Sequence, residues 1–345
     1  MCCSVSPNIE VRFSDTILYA AEVTDPRGGV VHVLGYQNRA QNNVNRLSAA
    51  PKNLLAKLKG LFIPTNKENT GNAMILPFPA VPGTMSRENV LDTENCPDVL
   101  KDIAEAVKPV TENLFLSQSA SFGPSRAVQI FEAAGIYTVV LADDARAIPE
   151  ALDRVPKEKR PALNPELFEA YAEWYPDWTI ALCCFNNEEA QEALPMLWWY
   201  EPMFPEQLFL PALDCHTGDV PDLTTNVAVD HTLAVGSALA EISVPADLSV
   251  IKCALCATSN ARDLVFCLGC GCLLSQEEKK RQAGGYRQVY YRNPHLLAGL
   301  KSYLLSYVIG NSLKEQMPNG DFICRIDEVR KGIWNPLRTL PPNAN

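Results

Sequence analysis

The sequence predicts an α+β fold: a mixed or antiparallel sheet domain with packed helices, followed by a small cysteine-rich unit and a C-terminal helix. Three observations lead there. Apolar runs of strand length are interspersed with amphipathic helical segments without a regular βαβ beat. No glycine-rich phosphate loop follows any strand, which argues against a doubly wound nucleotide-binding fold. Two Cys-x2-Cys pairs stand close together, at 253–256 and 267–270.

In chain order, Ile9–Val23 and Val30–Tyr36 read as strands around the turn Asp25-Pro26-Arg27-Gly28-Gly29, so a hairpin opens the fold. A third strand fits Ala73–Pro77. Between them, residues 38–72 form a polar insertion in which Leu54, Leu55, Leu58, Leu61 and Phe62 recur at helical spacing opposite Lys52, Lys57 and Lys59. A short basic amphipathic helix can lie on a membrane or a partner, but packing on its own domain is the simpler reading. A helix pattern follows at Asp98–Val107, with strands at Ala127–Phe131 and Ile136–Leu141. Helices fit Ile148–Val155 and, after Asn164-Pro165, Glu166–Trp174. Further strands fit Trp178–Phe185, Met196–Glu201, Gln207–Leu213 and Asn226–Val235. Beyond the cysteines come a linker, Ser275–Gly285, a strand-like Tyr286–Tyr291, a helix from Pro294 to about Leu313, and a tail rich in Pro and Asn. This divides the chain into an α+β domain over 1–245 and a basic, cysteine-bearing helical region over 246–345.

The chain has 345 residues, 47% of them apolar, and no stretch of about 18 uncharged apolar residues, so a sizeable core and no transmembrane segment are expected. MCCSVSPNIEVRF has no basic region leading into an apolar run, so no secretory signal is read and the cytoplasm is the expected compartment. In a reducing compartment the twelve cysteines read as thiols and metal ligands rather than as a disulfide framework. A net charge of −10 argues against general nucleic-acid affinity. The charge is unevenly spread: 250–345 hold 13 Lys+Arg against 7 Asp+Glu, and the residues before them 17 against 33.

The two Cys-x2-Cys pairs carry the clearest chemistry. In each, two thiolates on one tight turn can reach the same tetrahedral ion, and two such turns on facing hairpins close a four-sulfur site. Cys253, Cys256, Cys267 and Cys270 are therefore the expected ligands of a structural Zn2+, forming a zinc ribbon, with Cys272 as an alternative to Cys270. Gly269 and Gly271 suit knuckles that bend sharply, and Asn260-Ala261-Arg262-Asp263 suits the hairpin tip between them. Such a unit either replaces a hydrophobic core in a segment too small to fold alone or presents a recognition surface. Tyr286, Arg287, Tyr290, Tyr291 and Arg292 interleave aromatic and basic groups as single-strand binding surfaces do, although a buried strand explains them equally.

Candidates for catalysis are Cys2 or Cys3, whose thiol at a processed N-terminus could use the α-amine as base, paired with His216 or His231. The simpler readings are unremarkable thiols and, for the Asp214-to-His231 stretch, a turn whose Asp and His side chains satisfy local backbone groups. His32, between two valines, reads as a strand residue. The aromatic groups Trp174, Tyr175, Trp178 and Trp198, Trp199, Tyr200 fit either core or pocket wall. Cys183 and Cys184 read as buried mid-strand residues.

The Cys-led N-terminus, the hairpin ending in HVLGYQN, the strand NAMILPFP, the segment IYTVVLADDARAIPEAL and the stretch beginning YAEWYPDWTIALCCF together resemble a bacterial family of unknown function. Its members begin near a Cys-containing motif and carry an Ala-Met/Trp-Ile/Val-Leu-Pro-x-Pro strand. The resemblance covers about residues 1–240 and implies a domain extent but no activity; the ribbon lies outside it. The expected function is thus a zinc-ribbon protein acting as a non-catalytic interaction module with a protein partner. An N-terminal-cysteine hydrolase or amidase and nucleic-acid binding through 250–345 are the alternatives.

Overall fold

The computed structural model describes residues 10–43, 71–107, 128–186, 194–215, 218–240, 250–253, 256–261, 267–270 and 285–344. The amphipathic segment expected at 51–62 lies outside them. The opening hairpin is present: β1 (Glu10–Thr24) and β2 (Val30–Asn43) pair antiparallel, with a register shift between Ser14 and Ile17 where Asp15 takes φ +53°. Its turn needs Gly28 and Gly29, at φ +96° and +97°, values that cost a residue bearing a Cβ.

The chain continues through β3 (Gly71–Phe78), β4 (Val90–Leu91), α1 (Val99–Val107), β5 (Gln129–Ala133), β6 (Tyr137–Ala142), α2 (Ile148–Ala151) and α3 (Pro165–Trp174). Asn164 starts α3 by accepting the Glu166 N–H at 3.0 Å, and Pro165 fills the first helical position, where no N–H is needed. Then come β7 (Thr179–Asn186), β8 (Met196–Tyr200), β9 (Gln207–Leu210) and β10 (Asn226–Ser237).

Two main sheets stack between two outer layers. The seven-stranded sheet has the order β13-β14-β10-β1-β2-β8-β4, where β13 is Arg287–Gln288 and β14 is Tyr307–Pro318. It is mixed, because β1 and β10 run parallel from Thr16↔His231 to Glu22↔Ser237. The four-stranded sheet β3-β7-β6-β5 is antiparallel throughout. Alternation along each strand assigns its two faces. Leu18, Ala20, Met74, Leu76, Cys183 and Phe185 fill the space between the sheets. Ile17, Tyr19, Ala21 and Val23 face outward onto α1 and the chain around residues 297–305. Ala73, Ile75, Ile180, Leu182 and Cys184 face α2 and α3. A strand covered on both sides must be apolar at every position, which is why TIALCCF and MLWWY read as unbroken runs. Each large side chain so buried contributes roughly 1.5–3 kcal/mol. The two aromatic groups belong to this core: Trp178 meets Phe209 at 4.9 Å between ring centres, and Trp198 meets Phe78 at 5.1 Å.

The last sixty or so residues correct two expectations. Pro294 to Leu313 is not a helix. Pro294–Leu297 is a single 3-10 turn, and the chain then descends through turns closed by Leu300 N–H to Leu297 C=O and Tyr303 N–H to Leu300 C=O, both 2.8 Å. The three-residue spacing of Leu297, Leu300 and Tyr303 serves those turns as well as a helix, and all three are buried on the outer face of the large sheet. From Tyr307 the β-branched Val308 and Ile309 enter β14, which pairs with β10 from Asn226↔Pro318 to Val235↔Ile309; the gain of a full strand ladder overrides the helical spacing. The supposed tail forms β15 (Asp321–Arg325), α4 (Ile326–Arg330) and β16 (Leu337–Thr339), a three-stranded sheet with β9 in the order β16-β15-β9. Strand pairs therefore cross the boundary expected at 245, with β10 joined to β14, while β11 and β12 (residues 250–252 and 259–261) pair with each other in a sheet of their own.

Buried polar groups fasten these late residues to the body. The Asp321 carboxylate is 1% exposed and accepts the Tyr175 hydroxyl at 2.6 Å and the N–H groups of Ala212 and Leu213 at 2.8 and 3.0 Å. Asn319 accepts the Asp214 N–H at 2.8 Å and donates to the Asp214 carbonyl at 3.1 Å. Glu22, on β1, accepts the guanidinium of Arg330 (Nε at 3.0 Å) and the Ser237 hydroxyl. Arg292 donates its N–H to Asp102 on α1 at 3.0 Å and pairs with the same carboxylate through Nε, also at 3.0 Å. Among the described cysteines Cys215 is disulfide-bonded, a departure from the all-thiol expectation, whereas Cys96, Cys183, Cys184 and Cys324 are free and buried. No helix among the described residues is long and apolar enough to cross a membrane.

His32 is the odd member of the core. It is 0% exposed, neither ring nitrogen makes a well-aligned hydrogen bond, and it lies opposite Glu22 on one side and Tyr200 on the other. Burial pulls its pKa from 6.5 to about 4, and the Glu22 charge and the nearby Pro205 carbonyl only partly oppose this. The unfolded chain thus takes the proton first. Stability contributed by the neutral ring is present above about pH 6.5 and is lost as the pH falls toward 4, on the order of 3 kcal/mol across that window. Urea unfolding of wild type should show that decline, and His32→Leu, which removes an unsatisfied buried group, should be near neutral at pH 7 and visibly flatter below it. Equal pH dependence in both proteins would refute the assignment.

Candidate metal centre

The ribbon is built from two knuckles. The first leaves the short strand β11 (Val250–Lys252), turns through Cys253 and Cys256, and returns as β12 (Ser259–Ala261), which pairs with β11 from Val250↔Ala261 to Lys252↔Ser259. Two backbone hydrogen bonds of 2.9 Å close the turn, Cys253 N–H to Thr258 C=O and Ala257 N–H to Cys253 C=O. To make them, Ala257 adopts φ +57°, a left-handed conformation that glycine takes more readily. Asn260 and Ala261 are consequently strand residues and not the expected hairpin tip; Arg262, Asp263, Gly271 and Cys272 lie outside the described residues.

Cys267 and Cys270 form the second knuckle. The four sulfurs of Cys253, Cys256, Cys267 and Cys270 all lie within 4.8 Å of one another, close enough to hold a metal ion. Across the knuckles Cys253 Sγ is 3.6 Å from Cys270 Sγ, and Cys256 Sγ is 3.5 Å from Cys267 Sγ. Cys253 and Cys267 are each 3% exposed, while Cys256 and Cys270 face solvent.

Asn260 joins the two halves. Its side chain is enclosed, at 1% exposure, and makes three contacts: Nδ2 donates to the Thr258 carbonyl at 2.8 Å and to Cys267 Sγ at 3.4 Å, and Oδ1 accepts the Leu268 N–H at 2.7 Å. Gly269 N–H adds a second donor to Cys267 Sγ at 3.3 Å. Burial pushes the Cys267 thiol up, but the donors from Cys270, Asn260 and Gly269 outweigh it and bring the pKa down to about 6, which favours the thiolate a metal requires. Gly269 has a steric role too: a Cβ there would lie 2.1 Å from Thr258 Oγ1 and 2.8 Å from its Cβ. Sequence spacing singled out the four cysteines that lie together; it read Asn260 as a turn residue because its partners Cys267 and Leu268 lie on the other knuckle.

Of the residues nominated for thiol hydrolysis only His231 is described. It sits mid-strand in β10, half-buried between Thr16 of β1 and Leu313 of β14; Cys2, Cys3 and His216 lie outside the described residues. Nearby Asp222 serves its own turn, accepting Thr224 N–H and hydroxyl at 2.8 and 2.7 Å. The aromatic and basic run after the ribbon is turned largely inward. Tyr286 is buried and donates to Val329 C=O at 2.6 Å, Tyr291 donates to Leu305 C=O at 2.8 Å, and Arg292 is held by Asp102; Tyr290 stays 74% exposed.

No family model matches the chain, and no curated protein does. Two solved structures align over most of it. One is the crystal structure of the caspase-8/P35 complex, at 12% identity and TM-score 0.34 over 96% of this chain and 92% of that one. The other is the crystal structure of baculovirus P35, at 11% identity and TM-score 0.36 over 97% and 93%. A likeness this distant carries no functional argument.

The geometry around Asn260 and the knuckles yields a paired expectation. Asn260→Ala removes the strut and one donor to Cys267, and should weaken metal binding about 10- to 100-fold in a competition titration with a chromogenic chelator. Ala257→Gly should raise ribbon stability by about 0.5–1 kcal/mol, since it relieves the left-handed alanine. Gly269→Ala should lower it. Unchanged affinity in Asn260→Ala would show that the two knuckles do not depend on this side chain.

Proposed function

We propose that the cluster holds one structural zinc ion and that the ribbon it makes is the protein-binding module of a non-catalytic protein. The observation that carries this reading is the four-sulfur set within 4.8 Å. Four thiolates fill the tetrahedral shell of zinc, so no ligand position is left for substrate or water, as a catalytic zinc needs. Tetrahedral sulfur also suits iron, and the metal's identity is therefore part of the test. A segment this short buries too little to fold by itself, and metal binding would supply the missing free energy.

Leu268 supports the recognition role. It lies between the ligands Cys267 and Cys270, is 76% exposed, and its own N–H is pinned by Asn260, so an apolar side chain is presented on a fixed backbone. Preorganised apolar contacts bind without a large ordering cost. Engagement of Tyr286, Tyr291 and Arg292 within the fold leaves the nucleic-acid reading of 250–345 with less support.

Elemental analysis of the purified chain should find about one zinc per molecule, falling in Cys253→Ser. Chelation should abolish protease resistance of the ribbon while leaving the thermal transition of the sheets. Iron in place of zinc, or no metal, would overturn the metal assignment. For the recognition role, partners co-isolated with wild type should be lost with both Leu268→Glu and Cys253→Ser; retention of the same partners by Leu268→Glu would remove the ribbon as the binding surface.

A further inference from the structure

We infer that the ribbon is a site of reversible oxidation by hydrogen peroxide, in which each solvent-facing sulfur is attacked and then joined to the buried sulfur of the opposite knuckle, Cys256 to Cys267 and Cys270 to Cys253. The inference rests on the zinc reading above. Its basis is how burial is distributed over the four cysteines, buried and exposed in alternation. Contacts of 3.5 and 3.6 Å run between the knuckles, Cys256 to Cys267 and Cys253 to Cys270, and each pairs an exposed cysteine with one that is 3% exposed. The exposed member can meet an oxidant from solution, and the sheltered member stands behind it in position to resolve the product.

The chemistry balances in two steps on each diagonal. The exposed thiolate attacks a peroxide oxygen: an S–O bond forms, the O–O bond breaks, and hydroxide leaves, to be protonated to water. The buried thiolate then attacks that sulfenic sulfur: an S–S bond forms, the S–O bond breaks, and a second hydroxide leaves. For the whole site two peroxides and four protons are consumed, four waters form, two disulfides replace four thiolates, and the zinc ion is released. Peroxide is the oxidant and the cysteine sulfurs are the reductant; no other reagent enters. Cross-knuckle disulfides keep the two halves of the ribbon stitched as the metal held them, whereas a bond inside either Cys-x2-Cys turn would leave the knuckles unjoined.

Selectivity follows from the rest of the fold. The other free cysteines described, Cys96, Cys183, Cys184 and Cys324, are buried, and burial pushes each of these thiols up, so they present little thiolate and little access.

The test uses the full-length chain after its zinc content has been measured. Hydrogen peroxide is titrated in the presence of a chromogenic zinc chelator, remaining thiols are alkylated, and disulfides are mapped by peptide mass spectrometry. Expected are release of all the zinc at about two peroxides per site, 256–267 and 253–270 cross-links, and full recovery of zinc binding after a thiol reductant and zinc are added. Disulfides within 253–256 or 267–270, over-oxidation to sulfinic or sulfonic acid, or zinc retained under a large peroxide excess would each overturn the inference while leaving structural zinc intact. A chain that carries no zinc at the outset would overturn both.

Discussion

The pairing of β10 with β14 is the constraint on which the arrangement depends. β10 lies inside the large sheet, parallel to β1 on one edge, and its other edge is closed only by a strand that returns from beyond the ribbon. An open edge there would leave a row of backbone donors and acceptors unpaired beside the buried half of β10, Thr232–Ser237. The long excursion between the two strands is cheap by comparison, because the entropy of closing a loop grows only with the logarithm of its length. The ribbon occupies that excursion. It can therefore be a small, metal-dependent unit without its presence or absence deciding the pairing of the sheets.

A second level of organisation comes from carboxylates and amides that connect segments far apart in sequence. Asp321 gathers two backbone N–H groups and a tyrosine hydroxyl, Glu22 takes Arg330 and Ser237, and Asn319 grips the backbone of Asp214. None of these groups would be tolerated in the interior unpaired, so each fixes the relative position of the elements that satisfy it. Asn260 repeats the principle on a smaller scale by tying one knuckle to the other. The rule has exceptions among the described residues: the ring nitrogens of His32 and the Trp198 Nε1 are buried without a well-formed hydrogen bond.

How legible this was in the sequence depended on the range of the forces involved. Most strands from the opening hairpin to β10 could be placed to within a few residues, because strands covered on both faces must be apolar throughout, and α3 was announced by Asn164-Pro165; the two-residue β4 was missed and β2 runs on to Asn43, past its expected end at Tyr36. The four sulfurs were legible because metal geometry is written in local spacing. What failed depended on distant partners. Leu297, Leu300 and Tyr303 fit a helix by spacing and became turns because the outer face of the sheet was there to receive them. Nothing near Asp321 in sequence reveals that Tyr175 and Ala212 will meet it, so a segment that forms three more elements read as a tail. Asn260 looked like a turn residue for the same reason.

The placement of β14 also governs the order in which the molecule can come into being on the ribosome. Its residues, 307–318, follow β10 by some seventy positions, so the large sheet stays open along β10 until they have been made. The cysteine knuckles need only neighbours in sequence, and can close while the chain is still attached. Domains that depend on contacts between distant segments fold late and expose strand edges meanwhile. A nascent chain that has passed the cysteine knuckles but not yet β14 would thus expose the edge of β10, the strand most in need of shielding until residues 307–318 reach it.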